Sequence, residues 1–356
     1  MILTEKTILV TGGTGSLGKT FTKRVLSGEF GVPKKIIILS RDEAKQHYMR
    51  VEYMNRKQLT DDAVYRNFER LLEFRIGDVR NYHDVVAALQ GVDIVVNAAA
   101  LKQVPVCEYF PHQALLTNCV GVQNIVQAII EHRLPVQKVI GISTDKACKP
   151  VNAMGMTKAL QERIFISANI HAPQTNFVCV RYGNVLASRG SVIPLFHEQI
   201  SNQGPVTITH ENMTRFLLSL DKAVDTVIAA MEGGRPGDTF IPIVSSSNMV
   251  NVAKALIADR PVKIEITGIR PGEKMHESLI SEEESFRTYR NGEYYVIQPM
   301  LPELLRDCPA RVRDLIGEYS SEHSVASPSE TRALLKMHNL LLPPSSATPE
   351  LREMIR

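Results

Sequence analysis

The sequence KTILVTGGTGSLGKTFTKRVL, residues 6–26, decides the fold that we expect for this chain. It begins as a short β-branched run of the kind found in buried strands, and it ends with the apolar spacing of a helix. In the glycine turn between them, Gly12 permits a tight turn, Gly15 lets backbone N–H groups approach a pyrophosphate, and Gly18 allows close packing of helix on strand. The helix N-terminus adds partial positive charge. Glycine turns also occur in ordinary loops, but the flanking strand and helix favour a dinucleotide-binding turn.

Apolar runs that end in polar residues recur along the first half of the chain, and helical segments separate them. This alternation predicts an α/β fold with a Rossmann-like doubly wound parallel sheet and a smaller C-terminal substrate-binding region. We expect three regions: a nucleotide-binding Rossmann domain over residues 1–180, to which later segments return, a mainly substrate-binding region over residues 181–285, and a C-terminal extension over residues 286–356.

Composition narrows the class of protein. The chain has 356 residues, of which 44% are hydrophobic, so it can bury a sizeable core. The net charge is +3 and there is no basic run, which argues against a nucleic-acid partner. The five cysteines form no C-x-x-C pair, no signal peptide precedes the first strand, and no apolar run approaches the ~20 residues of a membrane helix. We expect a cytoplasmic protein that binds no metal, nucleic acid or membrane.

The segment STDKACKPVNAMGMTK, residues 143–158, brings several reactive side chains together. An apolar strand ends in Thr144-Asp145-Lys146, and the next helix carries Met154 and Lys158 on one face, because residues four apart share a face. This layout resembles the site of a short-chain dehydrogenase/reductase, with Ser or Thr at a strand end and Tyr-x-x-x-Lys on the following helix. Met154 stands at the tyrosine position, and methionine cannot exchange a proton.

The end of the second predicted strand bears on the choice of cofactor. Arg41, with Ser40 and Lys45 beside it, suits the 2′-phosphate of NADP. Asp42 could instead accept hydrogen bonds from the ribose hydroxyls of NAD. We expect NADP.

Several motifs together support a family resemblance. They are Thr144-Asp145-Lys146, Met154-x-x-x-Lys158, Arg181–Val185, Ser188–Val192, Met213–Phe216 and Gly268–Lys274. In this order and spacing, from about residue 5 to about residue 285, the chain resembles the UDP-N-acetylglucosamine 4,6-dehydratases of the extended short-chain dehydrogenase/reductase group. With methionine at position 154, the chain resembles the capsular polysaccharide branch of this family, whose enzymes invert the configuration at C5 of the sugar. One departure is Asn97, where we expect histidine.

The resemblance implies a reaction and a set of roles. Hydride passes from sugar C4 to NADP, water leaves across C5 and C6, and hydride returns to C6. Thr144 would bond the C4 oxygen, Asp145 would assist departure of the C6 oxygen, Lys146 would take H5, and Lys158 would hold the nicotinamide ribose. A lysine acts as a base only where burial or a nearby cation, such as that of Lys158, lowers its pKa. Without a tyrosine, the base for the C4 hydroxyl would be Lys146 or a water on Thr144.

Residues around the strand ends complete the expected cofactor site. Asp78 resembles an adenine contact, the reading we favour over a turn or cap residue, and Ala98–Ala100 would let the cofactor lie across the strands. Asn118 either bonds backbone near the site or is a satisfied core amide. The expected cofactor-binding residues are Gly12, Thr14, Gly15, Ser16, Leu17, Gly18, Ser40, Arg41, Lys45, Asp78, Val79, Ala98, Ala99, Ala100, Asn118 and Lys158.

The substrate, by the same resemblance, is a UDP-sugar. Residues 188–194 would form a mobile cover, Thr207 and Ile208 would flank uracil, and arginines would bind the diphosphate in a bidentate manner, unless they form surface ion pairs. The expected substrate-binding residues are Lys102, Asn184, Arg189, Val192, Thr207, Ile208, Arg215, Arg270 and Glu273. After residue 281 we expect a mobile tail around one helix near Ser329–His338. The family's frequent hexamers imply a homo-oligomer.

Three functions remain open at this point. A dehydratase needs proton transfer at C5 and C6, which the adjacent Asp145 and Lys146 could supply. A nucleotide-sugar epimerase shares the fold and cofactor but needs no C5 chemistry. A non-catalytic nucleotide-sugar sensor would explain the missing tyrosine, and Asp145 and Lys146 would then form only an ion pair at a strand end. We expect the dehydratase.

Overall fold

A computed structural model describes residues 1–55, 62–186, 188, 190–305 and 313–342. The strands are β1 (Thr7–Thr11), β2 (Lys35–Ser40), β3 (Leu72–Ile76), β4 (Ile94–Asn97), β5 (Lys138–Thr144), β6 (Asn176–Tyr182), β7 (Asn184–Val185), β8 (Val206–Ile208), β9 (Thr214–Leu218), β10 (Thr239–Pro242), β11 (Ser246–Asn248), β12 (Ile264–Ile266), β13 (Ser278–Ile280), β14 (Thr288–Asn291), β15 (Tyr294–Ile297), β16 (Tyr319–Ser320) and β17 (Val325–Ala326). The α-helices are α1 (Ser16–Leu26), α2 (Glu43–Asn55), α3 (Asp62–Leu71), α4 (Tyr82–Leu89), α5 (Val104–Tyr109), α6 (Pro111–Leu115), α7 (Gly121–Glu131), α8 (Ala153–His171), α9 (Val192–Ser201), α10 (Leu220–Gly233), α11 (Met249–Ile257), α12 (Glu282–Ser285) and α13 (Pro328–Met337).

The main sheet has nine strands in the order β14-β15-β10-β6-β5-β4-β1-β2-β3. The seven strands β10, β6, β5, β4, β1, β2 and β3 are parallel, and β15 runs antiparallel to both of its neighbours, β10 and β14. β1 pairs with β2 on one side and with β4 on the other, so the strand order reverses there. Ligands of such sheets bind at this reversal, beyond the carboxyl ends of the strands. The predicted doubly wound sheet is confirmed.

Apolar side chains bury both faces of the main sheet. Helices α1 and α10 cover one face, where Phe21 and Val227 are fully buried, and α4, α7 and α8 cover the other, where Ile125 and Phe165 are fully buried. Burying an apolar side chain of this size stabilises the fold by about 1.5–3 kcal/mol. A Cβ on Gly141 in β5 would lie 2.4 Å from the Phe165 ring, so the glycine is what lets α8 pack closely on the sheet.

The smaller part of the protein contains short sheets and helices. β17, β11, β9 and β7 form one sheet, β12 pairs with β8, and β13 pairs with β16. Helices α9, α11 and α13 enclose a core that includes Phe196, Leu256 and Leu335. None of the described helices combines the length and apolar character that crossing a membrane requires.

The expectation of a mobile tail after residue 281 is wrong for the described residues. β14 and β15 extend the main sheet, β16 pairs with β13, and α13 buries Leu335 against the smaller core. The predicted helix near Ser329–His338 forms at Pro328–Met337, where Ser327 and Glu330 make a capping box. Residues 343–346 of the proline-rich segment lie outside the described residues. The domain division at residues 180 and 285 stays a prediction.

Candidate active site

The glycine turn has the shape that a pyrophosphate requires. Gly12 has φ +64°, and a Cβ there would lie 2.7 Å from the backbone nitrogen of Ala99. A Cβ on Gly18 would lie 2.5 Å from the Cα of Gly13, whereas one on Gly15 would meet only the Gly12 carbonyl oxygen. Helix α1 begins without a side-chain cap on Gly15, so its N-terminus is suited to an anion. Gly12 and Gly18 therefore pack tightly against the backbone, whereas the space beside Gly15 is more open, as a dinucleotide site needs.

The groups expected to select the cofactor lie at the end of β2. The Thr14 and Ser40 hydroxyls are 3.2 Å apart, which brings the glycine turn against this strand end. The Arg41 side chain is 55% exposed, and its guanidinium lies 3.8 Å from the Asp78 carboxylate. Lys45 forms an ion pair with Asp42 at 2.5 Å. Arg41 is thus at the strand end with room for a phosphate, while Asp42 is already paired.

Asp78 makes turn contacts in this structure. Its carboxylate accepts hydrogen bonds from the Arg80 backbone at 3.0 Å and from the Arg80 guanidinium at 2.6 Å. Partial burial would raise the pKa of Asp78, but the hydrogen bonds from Arg80 hold that pKa below its usual value. The turn role is therefore observed, and the adenine contact stays a prediction. Val79, which follows, is buried, and its carbonyl oxygen accepts a hydrogen bond from Asn124 at 2.9 Å.

Small residues after β4 face the glycine turn. The backbone nitrogens of Ala98 and Ala99 donate to the carbonyl and hydroxyl oxygens of Thr11, at 3.1 and 3.2 Å. The fully buried Asn118 accepts from the Leu101 backbone nitrogen at 2.8 Å and donates to the Leu101 carbonyl oxygen at 3.0 Å. These contacts fit both roles considered for Asn118, because it bonds backbone beside the small residues after β4 and is also a satisfied buried amide. Asn118 also donates to the Thr157 hydroxyl, which ties this segment to helix α8.

The end of β5 presents a buried carboxylate with a free oxygen. Asp145 is 1% exposed, and its Oδ1 accepts from the Thr144 hydroxyl at 2.7 Å and from the Lys146 ammonium at 3.1 Å. Its Oδ2 has no hydrogen-bond partner among the described residues. A Cβ on Gly183 would lie 3.4 Å from that oxygen, so the glycine keeps the space beside it clear. Thr144, Asp145 and Lys146 thus form one connected group.

Glu277 completes this group, and the sequence reasoning missed it. Its Oε1 lies 3.1 Å from the Lys146 ammonium, and its side chain is 2% exposed. The available signal was an acidic residue directly before the apolar strand β13, since carboxylates are rarely buried unless they are paired. The pairing itself joins distant parts of the chain and leaves no local pattern. Lys146 is therefore held between two carboxylates.

The pKa of Lys146 is shifted in the direction opposite to expectation, and the pKa of Lys158 is shifted the other way. Burial acts to lower the pKa of Lys146, but Asp145 and Glu277 outweigh it, so the pKa of Lys146 is raised. Lys158 donates to the Ile142 carbonyl oxygen at 2.5 Å and to Gln161 at 2.6 Å. Burial lowers the pKa of Lys158 to about 8. Lys146 lacks the lowered pKa that a general base requires.

Met154 fills an apolar pocket near the start of α8. It is 4% exposed and packs in a small core with Cys107 and Ala114. Four residues along the helix, Lys158 is on the same face. Cys148, close in sequence, is buried, and burial raises the pKa of its thiol to about 12, which suits a structural thiol.

The predicted cover, residues 188–194, and the short strand β7 before it contain buried polar atoms. The buried Asn184 Oδ1 in β7 and the Ser191 Oγ before α9 have no hydrogen-bond partner among the described residues. Val192 opens helix α9, and Arg189 lies outside the described residues. Gly190 approaches the segment after β4, because a Cβ there would lie 2.5 Å from Gln103 Nε2. The exposed Lys102, next to Gln103, is therefore beside the cover.

The other predicted substrate residues include Thr207, Ile208, Arg270 and Glu273. Thr207 accepts a hydrogen bond from Gln199 at 2.7 Å, and Ile208 is 3% exposed in the smaller core. Arg270 is exposed, and its backbone nitrogen donates to Glu273 at 3.3 Å within a turn. Whether these residues contact the substrate stays a prediction.

Arg215 is not a surface ion pair. It is buried and donates to the carbonyl oxygens of Thr214, Lys274 and Met275, at 2.7, 2.9 and 3.0 Å. In this arrangement the guanidinium fixes the segment that leads to Glu277. Its expected contact with a diphosphate stays a prediction.

Comparison with known proteins agrees with this architecture. Residues 8–299 match the family described as "Polysaccharide biosynthesis protein". A protein of Rickettsia conorii named UDP-glucose 4-epimerase is 47% identical over 298 residues, which cover 82% of this chain and 83% of the relative.

Solved structures give the same result. The X-ray structure of Pen from Bacillus thuringiensis is 34% identical with a TM-score of 0.84, covering 96% of this chain and 100% of that one. DesIV, a dTDP-glucose 4,6-dehydratase from Streptomyces venezuelae, shares the fold at 20% identity and a TM-score of 0.64, covering 76% and 86% of the two chains. The chain therefore belongs to the polysaccharide biosynthesis protein family and has the Rossmann-like fold of the extended short-chain dehydrogenase/reductases.

Proposed function

We propose that the protein is an NADP-dependent UDP-N-acetylglucosamine 4,6-dehydratase that inverts C5. The observation that carries this proposal is the buried group at the end of β5, where Asp145 has a free oxygen and contacts both Thr144 and Lys146. These groups can move protons at several sugar atoms, and elimination of water across C5 and C6 needs such groups in addition to those for oxidation at C4.

The chain has the parts that would hold the cofactor. The turn at Gly12 and Gly15 would receive the pyrophosphate at the start of α1, and Arg41 would receive the 2′-phosphate. Lys158, near Met154 on the same helix, would hold the nicotinamide ribose. When bound, NADP supplies the acceptor for hydride from C4 and the donor of hydride to C6.

Thr144 and Asp145 offer a proton route that needs no tyrosine. Because the Thr144 hydroxyl donates to Asp145 Oδ1 at 2.7 Å, Thr144 can take the proton of the C4 hydroxyl while passing its own to the carboxylate. Asp145 then carries the proton that the C6 oxygen needs to leave as water. The proton lost in oxidation is thus the proton used in elimination, and Met154 takes no part.

The second candidate is a UDP-glucose 4-epimerase, which the name of the Rickettsia relatives favours. Epimerisation removes hydride from C4 and the proton from the C4 hydroxyl, returns both, and leaves the C5–H bond intact. A buried Asp145 with a free oxygen would then have no reacting partner. A nucleotide-sugar sensor would bind without turnover.

Incubation in deuterium oxide separates these functions. We expect UDP-N-acetylglucosamine to lose the mass of one water and to gain deuterium at C5, with the inverted configuration by NMR. UDP-glucose should be tested in parallel. An isomer of unchanged mass without deuterium would show an epimerase and refute the dehydratase, and an unchanged nucleotide sugar that still binds would indicate a sensor. The expected homo-oligomer and the cytoplasmic location stay predictions.

A further inference from the structure

Lys146 lies between two carboxylates that each keep one free oxygen. Its ammonium is 3.1 Å from Asp145 Oδ1 and 3.1 Å from Glu277 Oε1. Asp145 Oδ2 and Glu277 Oε2 are both buried without a hydrogen-bond partner among the described residues. Buried polar atoms in native proteins are nearly always bonded, so two free oxygens on one cluster indicate groups that meet a ligand.

The backbone on both sides of Glu277 is fixed by other parts of the chain. Its nitrogen donates to the Ser321 hydroxyl at 2.9 Å, and its carbonyl oxygen accepts from the Ser321 nitrogen at 2.8 Å. The Ser321 hydroxyl is also 2.8 Å from that of Thr214, and the neighbouring Arg215 holds the carbonyl oxygens of Lys274 and Met275. Such support is typical of side chains whose position matters for chemistry.

Charge decides which member of the cluster can accept a proton from carbon. A protonated lysine has no lone pair and cannot accept one. Two carboxylates beside Lys146 favour its charged form, as the raised pKa of this side chain indicates. A carboxylate with a free oxygen can accept a proton, and Asp145 is already committed to the C4 and C6 oxygens in the proposed reaction. Glu277 is the remaining acceptor.

We propose that Glu277 is the base that removes H5 and that solvent water returns a proton to the opposite face of C5. This inference rests on the proposed dehydratase function. It reassigns the removal of H5, which the sequence resemblance gave to Lys146.

The C5–H bond breaks, its proton forms an O–H bond on Glu277, and its electron pair forms the C4–C5 double bond of an enolate. The enolate electrons then form the C5–C6 double bond as the C6–O bond breaks, and Asp145 gives its proton to the departing oxygen. After hydride reaches C6, a proton of solvent water bonds to C5 from the face opposite Glu277. The hydroxide so formed is neutralised by the proton that Glu277 releases, which restores the starting charges, and Lys146, 3.1 Å from Glu277, stays an ammonium throughout.

Inversion explains why two groups are needed. A single base that returned its own proton would act on one face of C5 and retain the configuration. Inversion requires a donor on the other face, and Lys146 cannot be that donor, because its ammonium lies 3.1 Å from Glu277 and is therefore on the same face. The returned proton comes from water, so C5 of the product should carry solvent deuterium.

Two substitutions at Glu277 test the proposal. Glu277→Gln keeps the shape and can still bond Lys146, but an amide cannot accept the proton. Glu277→Asp keeps the carboxylate on a shorter arm. We expect Glu277→Gln to retain C4 oxidation, followed by the absorbance of the reduced nicotinamide in a single turnover, and to lose deuterium uptake at C5 by ~10²–10⁴-fold. Glu277→Asp should exceed Glu277→Gln in deuterium uptake.

The outcomes separate the possible failures. Glu322→Gln removes an exposed carboxylate next to Ser321, the backbone partner of Glu277, and should keep the parent rates. The proposal would be overturned if Glu277→Gln took up deuterium at the parent rate. It would also be overturned if Glu277→Gln took up deuterium as fast as Glu277→Asp or faster. An equal fall of C4 oxidation and deuterium uptake would also overturn it, because Glu277 would then only position its neighbours. If the parent protein itself takes up no deuterium at C5, it is the dehydratase function that fails.

Discussion

Replacing Met154 tests whether this site works without a tyrosine. Met154 is 4% exposed and packs with Cys107 and Ala114, so the pocket has no space reserved for a ring. Met154→Tyr should destabilise the protein by about 1–3 kcal/mol through overpacking. A buried phenol that finds no partner would add about 1–3 kcal/mol. Met154→Leu, similar in volume and equally unable to carry a proton, should cost less than ~1.5 kcal/mol.

Catalysis should follow the same order. If Thr144 and Asp145 carry the C4 proton, a phenol at position 154 has no task, and turnover should fall or stay level with tyrosine. Met154→Leu should retain most of the parent rate. Both variants should be measured at saturating substrate, with urea midpoints as the control for folding. A large gain in turnover with tyrosine would refute the proposed route, because it would show that the site still depends on the ordinary proton relay.

Two further predictions concern the cofactor turn and Lys158. Gly12→Ala should abolish nucleotide binding. An alanine at this φ of +64° would cost about 1–2 kcal/mol, and its Cβ would lie 2.7 Å from the backbone nitrogen of Ala99. Gly28→Ala is the matched control, because its φ of +82° is also positive but nothing lies within 4 Å of its Cβ, and it should keep the nucleotide. The nucleotide released on denaturation identifies the cofactor, and NAD alone would contradict the role of Arg41. For Lys158, the folded pKa of about 8 is below the ordinary value of 10.5, so the folded state binds this proton less tightly and Lys158 costs stability below pH 8. The cost disappears as pH rises from 8 to 10.5, at about 1.36 kcal/mol per pH unit. The free energy of unfolding of Lys158→Met minus that of the parent at the same pH should therefore fall by up to ~3 kcal/mol over that range, on top of a constant difference from the lost bonds to Ile142 and Gln161. A pH-independent difference in urea unfolding would show that Lys158 is not a low-pKa lysine.

The sequence predicted those features that depend on neighbouring residues. The glycine turn, the strands and the reactive end of β5 follow from local spacing, and the structure has them where they were expected. The contact between Lys146 and Glu277 could not be predicted in this way, because it joins β5 to a turn far along the chain. Glu277 adds to the neighbouring Asp145 in raising the pKa of Lys146, whereas burial lowers the pKa of Lys158.

Long-range pairing also explains the error about the C-terminal residues. Their polar and proline-rich composition indicates a tail when it is considered alone. These residues are ordered because they pair with strands from earlier parts of the chain. β15 pairs with β10, and β17 pairs with β11. Composition describes a segment without its partners, so it cannot show that a partner exists.

The place of β10, β15 and β14 in the main sheet has a consequence for biosynthesis. The ribosome makes β6 well before it makes residues 239–297, which contain these three strands. Until they emerge, one edge of the growing sheet has unpaired backbone groups next to apolar side chains such as Val178 and Val180. Unpaired edges of this kind can associate with other nascent chains. The nucleotide-binding half therefore cannot complete its folding cotranslationally until most of the polypeptide has been made.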